Sequence, residues 1–255
     1  MARTSSGDDA AVLTLRIAED LRFLLPTRHR GGEVRCPLDG TSSLGHCVEA
    51  AGVPLTEVGE LRNGGAALAA AHRPSPGEIV DVLPVRRPQP TPTAPPRFLL
   101  DVHLGRLARR LRILGLDVAY RNDAGDDELA EVATRESRVL LTQDRGLLRR
   151  HILGCAAYVR GALADEQVRD VLDRFAPPLD PWTRCPTCNG VLAPVPKQEV
   201  LGALQPGTVR SYDTFARCRG CGQVYWRGAH ARRLDRLVSD AVSDAAEGGS
   251  RRGVS

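Results

Sequence analysis

Between Arg97 and Arg150, short apolar runs alternate with stretches of helical period. Residues 98–100 (FLL), 118–120 (VAY) and 138–142 (RVLLT) predict strands. Leu104, Leu107, Ala108, Leu111 and Leu114 recur at the i, i+3, i+4, i+7 positions of a helix, with Gly115 placed to end it. Asp126 stands where an N-cap belongs, ahead of a second helical face made by Leu129, Val132 and Ala133. Residues 156–159 predict a fourth strand, and Val168, Val171, Leu172 and Phe175 a closing helix. Strands that alternate with helices imply an α/β domain with a parallel sheet over residues 97–180.

Upstream, residues 10–86 read differently. Leu13, Leu15 and Ile17 alternate as a strand, residues 34–38 offer another, and Leu44, Cys47, Val48 and Ala51 form one helical face stopped by Gly52 and Pro54. Asn63-Gly64 and Pro76-Gly77 are turn signals, and residues 79–85 alternate into a closing strand. Strands, one helix and more strands suggest a small α+β domain of the β-grasp, ubiquitin-like kind. Residues 87–96 lie in a stretch, RRPQPTPTAPPR, that holds five prolines and almost nothing apolar, which predicts an extended, semi-rigid linker.

The chemistry-bearing residues sit at the ends of the predicted strands. Asp101 closes the first, Asp123 and Asp126 follow the second, and Asp144 follows the third. Consecutive parallel strands share their carboxyl end, where open α/β sheets bind ligands, so these carboxylates can converge. Converging carboxylates repel one another unless a cation sits between them, and hard Mg²⁺ or Mn²⁺ prefers such oxygen ligands. Metal-assisted phosphodiester hydrolysis fits that arrangement. An aspartate before a helix is more often only a cap; three at successive strand ends shift the balance toward a site.

Seven cysteines are an odd number, and four of them form two CxxC pairs, Cys185/Cys188 and Cys218/Cys221, each followed by a glycine, Gly190 or Gly222. Two such knuckles supply the four thiolates of a closed, structural zinc site, here in a ribbon over residues 181–238. Arg217, Arg219, Arg227, Arg232 and Arg233 surround Tyr225 and Trp226, a mixture that can hold a phosphate backbone and stack bases, or else a solvated face around a buried aromatic pair. Residues 239–255, rich in Ser, Ala, Gly and Arg, predict a disordered tail.

Composition adds little beyond this. The 255 residues are 42% hydrophobic and carry a net charge of +4, too modest to argue for nucleic acid without its local clustering. Nearly all the positive charge is arginine, with Lys197 the one lysine, which suits phosphate contacts or reflects genome base bias. The opening MARTSSGDDA has no apolar signal core, no run is long enough to span a bilayer, and the CxxC pairs suit a reducing compartment, so a cytoplasmic location is expected.

The run FLLDVHLGRLARRLRILG, the ND and DDEL of residues 122–129 and the LLTQD of 140–144 stand in order. Together they resemble the PIN-like ribonuclease domain named after the C-terminal region of the Mut-seven exonuclease. YWRGAH at 225–230 resembles the run that follows the second knuckle in that family; where the family often has Arg before the last aspartate, this chain has Gln143. Residues 10–86 resemble the ubiquitin-like domain that often precedes it and, more distantly, small sulfur carriers. The Gly-Gly terminus of a carrier is missing, since Gly31-Gly32 and Gly64-Gly65 are internal. The resemblance implies an enzyme, a ribonuclease acting on RNA, single-stranded by expectation. Asp101, Asp126 and Asp144 would hold Mg²⁺ or Mn²⁺, with Asp123 a fourth candidate. Zinc would be structural, and Arg217, Arg219, Trp226, Arg227, His230, Arg232 and Arg233 would bind RNA. A non-catalytic RNA-binding adaptor that docks a protein partner through the β-grasp domain is the rival reading.

Overall fold

The computed structural model describes residues 11–150, 152–226 and 239. The chain divides into two compact units, Met1–Arg86 and Arg87–Ser255.

In the first unit, β1 (Val12–Ile17), β2 (Glu33–Pro37), β3 (Val58–Asn63), β4 (Ala66–Leu68) and β5 (Ile79–Pro84) form one mixed sheet in the order β2-β1-β5-β3-β4. Neighbours are antiparallel except β1 and β5, which run parallel. Leu13, Leu15 and Ile17 are buried on one face of β1, as their alternation demands. The helix α1 (Leu44–Ala51) buries Leu44, Cys47, Val48 and Ala51. It starts at Ser43, whose hydroxyl accepts from the His46 amide at 3.3 Å, and stops at Gly52, whose φ of 121° no other residue takes easily.

The second unit is built on β6 (Arg97–Leu100), β7 (Asp117–Tyr120), β8 (Val139–Thr142) and β9 (Ala156–Tyr158), a fully parallel sheet in the order β7-β6-β8-β9. Both faces are covered, so the strand interiors are continuous apolar runs rather than alternating, with Arg97, Asp117 and Thr142 at strand ends. Phe98, Leu100, Val139 and Leu141 pack with α2 (Gly105–Ile113) and, further along the chain, a long helix of residues 164–175. Leu99, Leu140 and Ala156 face the other way, onto α3 (Asp126–Arg135) and the single turn α4 (Arg145–Leu148). The long helix is α5 (Ala164–Phe175).

The chain therefore leaves β6 toward one face and β8 toward the opposite face. Between these adjacent strands lies the switch point of the sheet, where a crevice opens at the carboxyl ends.

The proline-rich segment is anchored on this unit. Arg87 bonds Asp173 at 2.7 Å and Asp170 at 2.9 Å, and the buried Arg174 donates to the Gln89 side chain at 2.7 Å. At the amino end of the sheet Arg138 joins Asp117 (2.8 Å), Glu136 (2.7 Å) and the Phe98 carbonyl (3.1 Å). Burial pushes the Asp117 carboxyl up, but hydrogen bonds from Arg138 and Asn189 outweigh it and hold the group below its ordinary range.

The same unit continues into β10 (Leu192–Val195), a short helix α6 (Pro206–Ser211), β11 (Phe215–Cys218) and β12 (Val224–Trp226). The three strands make an antiparallel sheet in that order. Its first knuckle is seated on β7, the edge strand of the parallel sheet. Asn189 accepts from the Val118 amide at 3.0 Å and donates to Asp117 at 2.9 Å. Arg112, buried in α2, reaches the carbonyls of Val118 (2.9 Å), Thr187 (2.9 Å) and Pro186 (3.1 Å).

Candidate active site and four-cysteine cluster

Asp101 follows β6 and is 6% exposed, and Asp144 follows β8, so the two stand on either side of the switch point. Thr142, fully buried at the end of β8, joins them. Its hydroxyl donates to Asp101 Oδ2 at 2.6 Å and accepts from the Asp144 amide at 2.8 Å. Asp101 Oδ1 accepts from the Val102 amide at 2.6 Å, and Asp144 Oδ1 accepts from the amides of Gly146 (2.6 Å) and Leu147 (3.4 Å). Both carboxylates thus cap the turns that follow them, and both keep unused lone pairs. Asp144 Oδ2 has no hydrogen-bond partner among the described residues.

The other two aspartates are held apart by arginines. Asp123 is exposed and bonds Arg121 at 3.1 Å; that contact keeps its carboxyl below the ordinary range. Asp126 lies 3.6 Å from Arg150, which also pairs with Asp127. The expectation that Asp126 caps its helix needs correction. Gly125 is the N-cap and Asp126 the first helical residue, where its charge faces the positive end of the helix and makes no capping bond. Among the described residues, the group of metal-ligating side chains close enough to share one ion is the cysteine set; the four aspartates do not form a second.

The four thiols of Cys185, Cys188, Cys218 and Cys221 all lie within 4.8 Å of one another, with Cys185 to Cys221 at 3.8 Å and Cys188 to Cys218 at 3.3 Å. Tetrahedral zinc–thiolate bonds of about 2.3 Å put sulfurs roughly 3.8 Å apart, so the donors fit a closed four-sulfur shell. The turns that gather them need small residues: a Cβ on Gly190 would come within 2.8 Å of Cys218 Sγ. Burial opposes ionisation of Cys185, yet the Tyr225 hydroxyl at 3.1 Å and backbone amides bring its thiol down to about 6. Cys188 has the Gly190 amide in its favour, but burial and the three facing thiols push it up to about 12. A metal bound by these four sulfurs would release their thiol protons as it bound.

Comparison with protein families places the Mut7-C RNAse domain on residues 96–238 and the Mut7-C ubiquitin domain on residues 10–90. This chain belongs to the Mut7-C RNAse family. No curated protein and no solved structure gives a significant match. In Mut7-C terms the first unit is the ubiquitin-like domain, and the RNAse domain runs through the parallel sheet and the cysteine cluster.

Of the basic and aromatic residues expected at RNA in this Mut7-C domain, Arg217 donates to the Glu199 carbonyl at 3.0 Å and Arg219 is exposed. Trp226 is 38% exposed and its ring lies 6.4 Å from that of Phe215. Tyr225 is tied to Cys185 and to Thr187 rather than free to stack. Arg227, His230, Arg232 and Arg233 lie outside the described residues, as does the tail beyond Ser239. Sequence reasoning missed Thr142, although a hydroxyl two places before a strand-end aspartate was its visible signal. It also missed Arg112 and Asn189, whose partners are distant in the chain.

Proposed function

We propose that this chain is a metal-dependent ribonuclease that hydrolyses phosphodiester bonds of single-stranded RNA at the carboxyl edge of a PIN-like sheet, its fold completed by a zinc ribbon. The observation that carries the reading is the Asp101–Thr142–Asp144 linkage at the switch point of the sheet, within a chain of the Mut7-C RNAse family. Thr142 and the Val102 amide fix the Asp101 carboxylate, and the α4 amides fix Asp144 while leaving its second oxygen open. Such groups suit a hard divalent cation, and Asp101 and Asp144 would hold it. Asp126 would join by exchanging Arg150 for the ion, with Asp123 in reserve beside Arg121. When bound, Mg²⁺ or Mn²⁺ supplies Lewis acidity for a water and for the leaving oxygen.

The cysteines take no part in that chemistry. With four protein ligands no position is open, so zinc there is structural. The ubiquitin-like domain offers a surface for a protein partner, and the reducing chemistry of free cysteines suits a cytoplasmic setting.

Purified protein incubated with labelled single-stranded RNA should cleave it with Mn²⁺ or Mg²⁺ and leave it intact in EDTA. Cleavage that persists in EDTA would overturn the metal requirement. Binding without cleavage under every condition would make the chain an RNA-binding adaptor.

A further inference from the structure

Beside the Asp101–Asp144 edge lies an open cleft of about 700 Å³, within the range of sites that take small ligands. Its rim is continuous with both aspartates in the chain, because Val102 and Gln143 line it. No acidic residue does. One wall is a basic stripe spaced by three and exposed throughout: His103 in the turn before α2, and Arg106 and Arg109 in α2 itself. The neighbouring arginines are spoken for: Arg110 pairs with Asp165, and Arg112 is turned inward onto carbonyls. Arg106 and Arg109 have neither an ion pair nor a hydrogen bond among the described residues.

The opposite walls are not charged. Tyr120 lies on one side, its hydroxyl donating to the Val102 carbonyl at 2.9 Å and packed so close to α2 that a Cβ on Gly105 would come within 2.6 Å of the hydroxyl oxygen and 2.9 Å of the ring. Leu163, 65% exposed, lies on another. The Gln143 amide is pinned to the carbonyls of Val159 (2.9 Å) and Gly161 (2.8 Å), which fixes the loop that carries Leu163. Unpaired guanidinium groups facing an aromatic and an aliphatic wall match a strand with alternating phosphates and bases better than a free anion, which has no use for the apolar side.

We infer that this cleft is the RNA-binding groove of the domain: Arg106 and Arg109 hold consecutive phosphates of a single strand, a base lies toward Tyr120 and Leu163, and the strand is led to the Asp101–Asp144 edge. The inference rests on the ribonuclease reading for its substrate and moves the main grip on RNA from the cysteine region to α2.

The test uses the full chain and a fluorescent oligouridylate in buffer without added Mg²⁺ or Mn²⁺, which suppresses cleavage and leaves the cysteine cluster undisturbed, with affinity measured across a salt series. Each phosphate contact to a single strand contributes a slope of about 0.7 in log K against log salt, so the double variant Arg106→Gln/Arg109→Gln should flatten the slope by about 1.4. At 0.1 M salt this is roughly a 25-fold loss of affinity. The charge-matched control Arg149→Gln/Arg210→Gln removes two exposed arginines outside the cleft and should bind like wild type. Thermal melts confirm that both variants are folded. An unchanged slope in the cleft variant, an equal loss in the control, or no binding by wild type would each overturn the groove.

Cleavage with Mn²⁺ separates this from the catalytic reading. Wild type that binds through the cleft but never cuts leaves the groove standing and removes the nuclease. Cleft variants that cut at the wild-type rate do the reverse.

Discussion

Replacing Thr142 with valine is the sharpest probe of the candidate active site, because the side chain is fully buried and the change preserves its shape. The substitution removes the 2.6 Å donor to Asp101 and the 2.8 Å acceptor of the Asp144 amide, and offers nothing in return. A buried group left unsatisfied costs about 1–3 kcal/mol, and a hydrogen bond to a charged group about 1.5–3. Asp101 keeps its Val102 amide and Asp144 its cap, so a loss of about 2–3 kcal/mol is expected. In a unit of this size that lowers the melting temperature by about 4–12 °C. Thr142→Ser retains both bonds and should lose less than half as much. Urea unfolding gives the stabilities, and a double-mutant cycle with Asp101→Asn should return a coupling above about 0.5 kcal/mol. Cleavage by Thr142→Val should fall much further than stability explains, since the carboxylate is no longer fixed. A valine variant as stable and as active as wild type would refute the bridge.

Asp144→Asn should keep the cap and the melting temperature yet abolish cleavage, whereas Asp144→Ala should also cost about 1 kcal/mol, and melts beside nuclease assays distinguish the two. Asp101→Asn and Asp126→Asn should likewise stop cleavage; wild-type rates from all three Asn variants would refute the metal site. Cys185→Ser or Cys218→Ser should yield insoluble or zinc-free protein, checked by metal analysis, and folded wild type without zinc would end that assignment. Asp117 is held below its ordinary value of 3.8, so its stabilisation is complete above that pH and is lost as pH falls through the folded-state value. Asp117→Asn should therefore flatten the acid limb of stability measured against pH, and an unchanged limb would contradict it.

Much of this was legible in the residues because it is local. The helical stripe of Leu104, Leu107, Leu111 and Leu114 and the apolar runs at 98–100 and 139–142 set which faces are covered, and with them where Asp101 and Asp144 emerge. The two readings weighed for these aspartates are not exclusive: Asp101 and Asp144 are caps, and the same backbone amides that make them caps would hold them in place for the proposed chemistry. Asp126 was harder to read, because Gly125 takes the cap and Arg150, distant in sequence, takes the charge. Long-range partners explain the other omissions. Nothing around Arg112 announces carbonyls more than seventy residues away, and nothing in a proline-rich string announces that Arg87 will fork between Asp170 and Asp173.

The seating of the first knuckle on β7 would give zinc at the four cysteines a second consequence. An uncovered strand edge is a template for pairing with another chain. Here both outward-facing backbone groups of Val118 are occupied, the amide by Asn189 and the carbonyl by Arg112, which also grips the knuckle backbone. Where the cysteines hold zinc, a chelator that withdraws it and loosens Cys185 and Cys188 should therefore free the Val118 amide at this edge before it unfolds a core. Metal-depleted protein should be lost by self-association, faster at higher protein concentration, and a fragment ending at residue 180 should inherit the same stickiness while keeping every helix and strand of its parallel sheet.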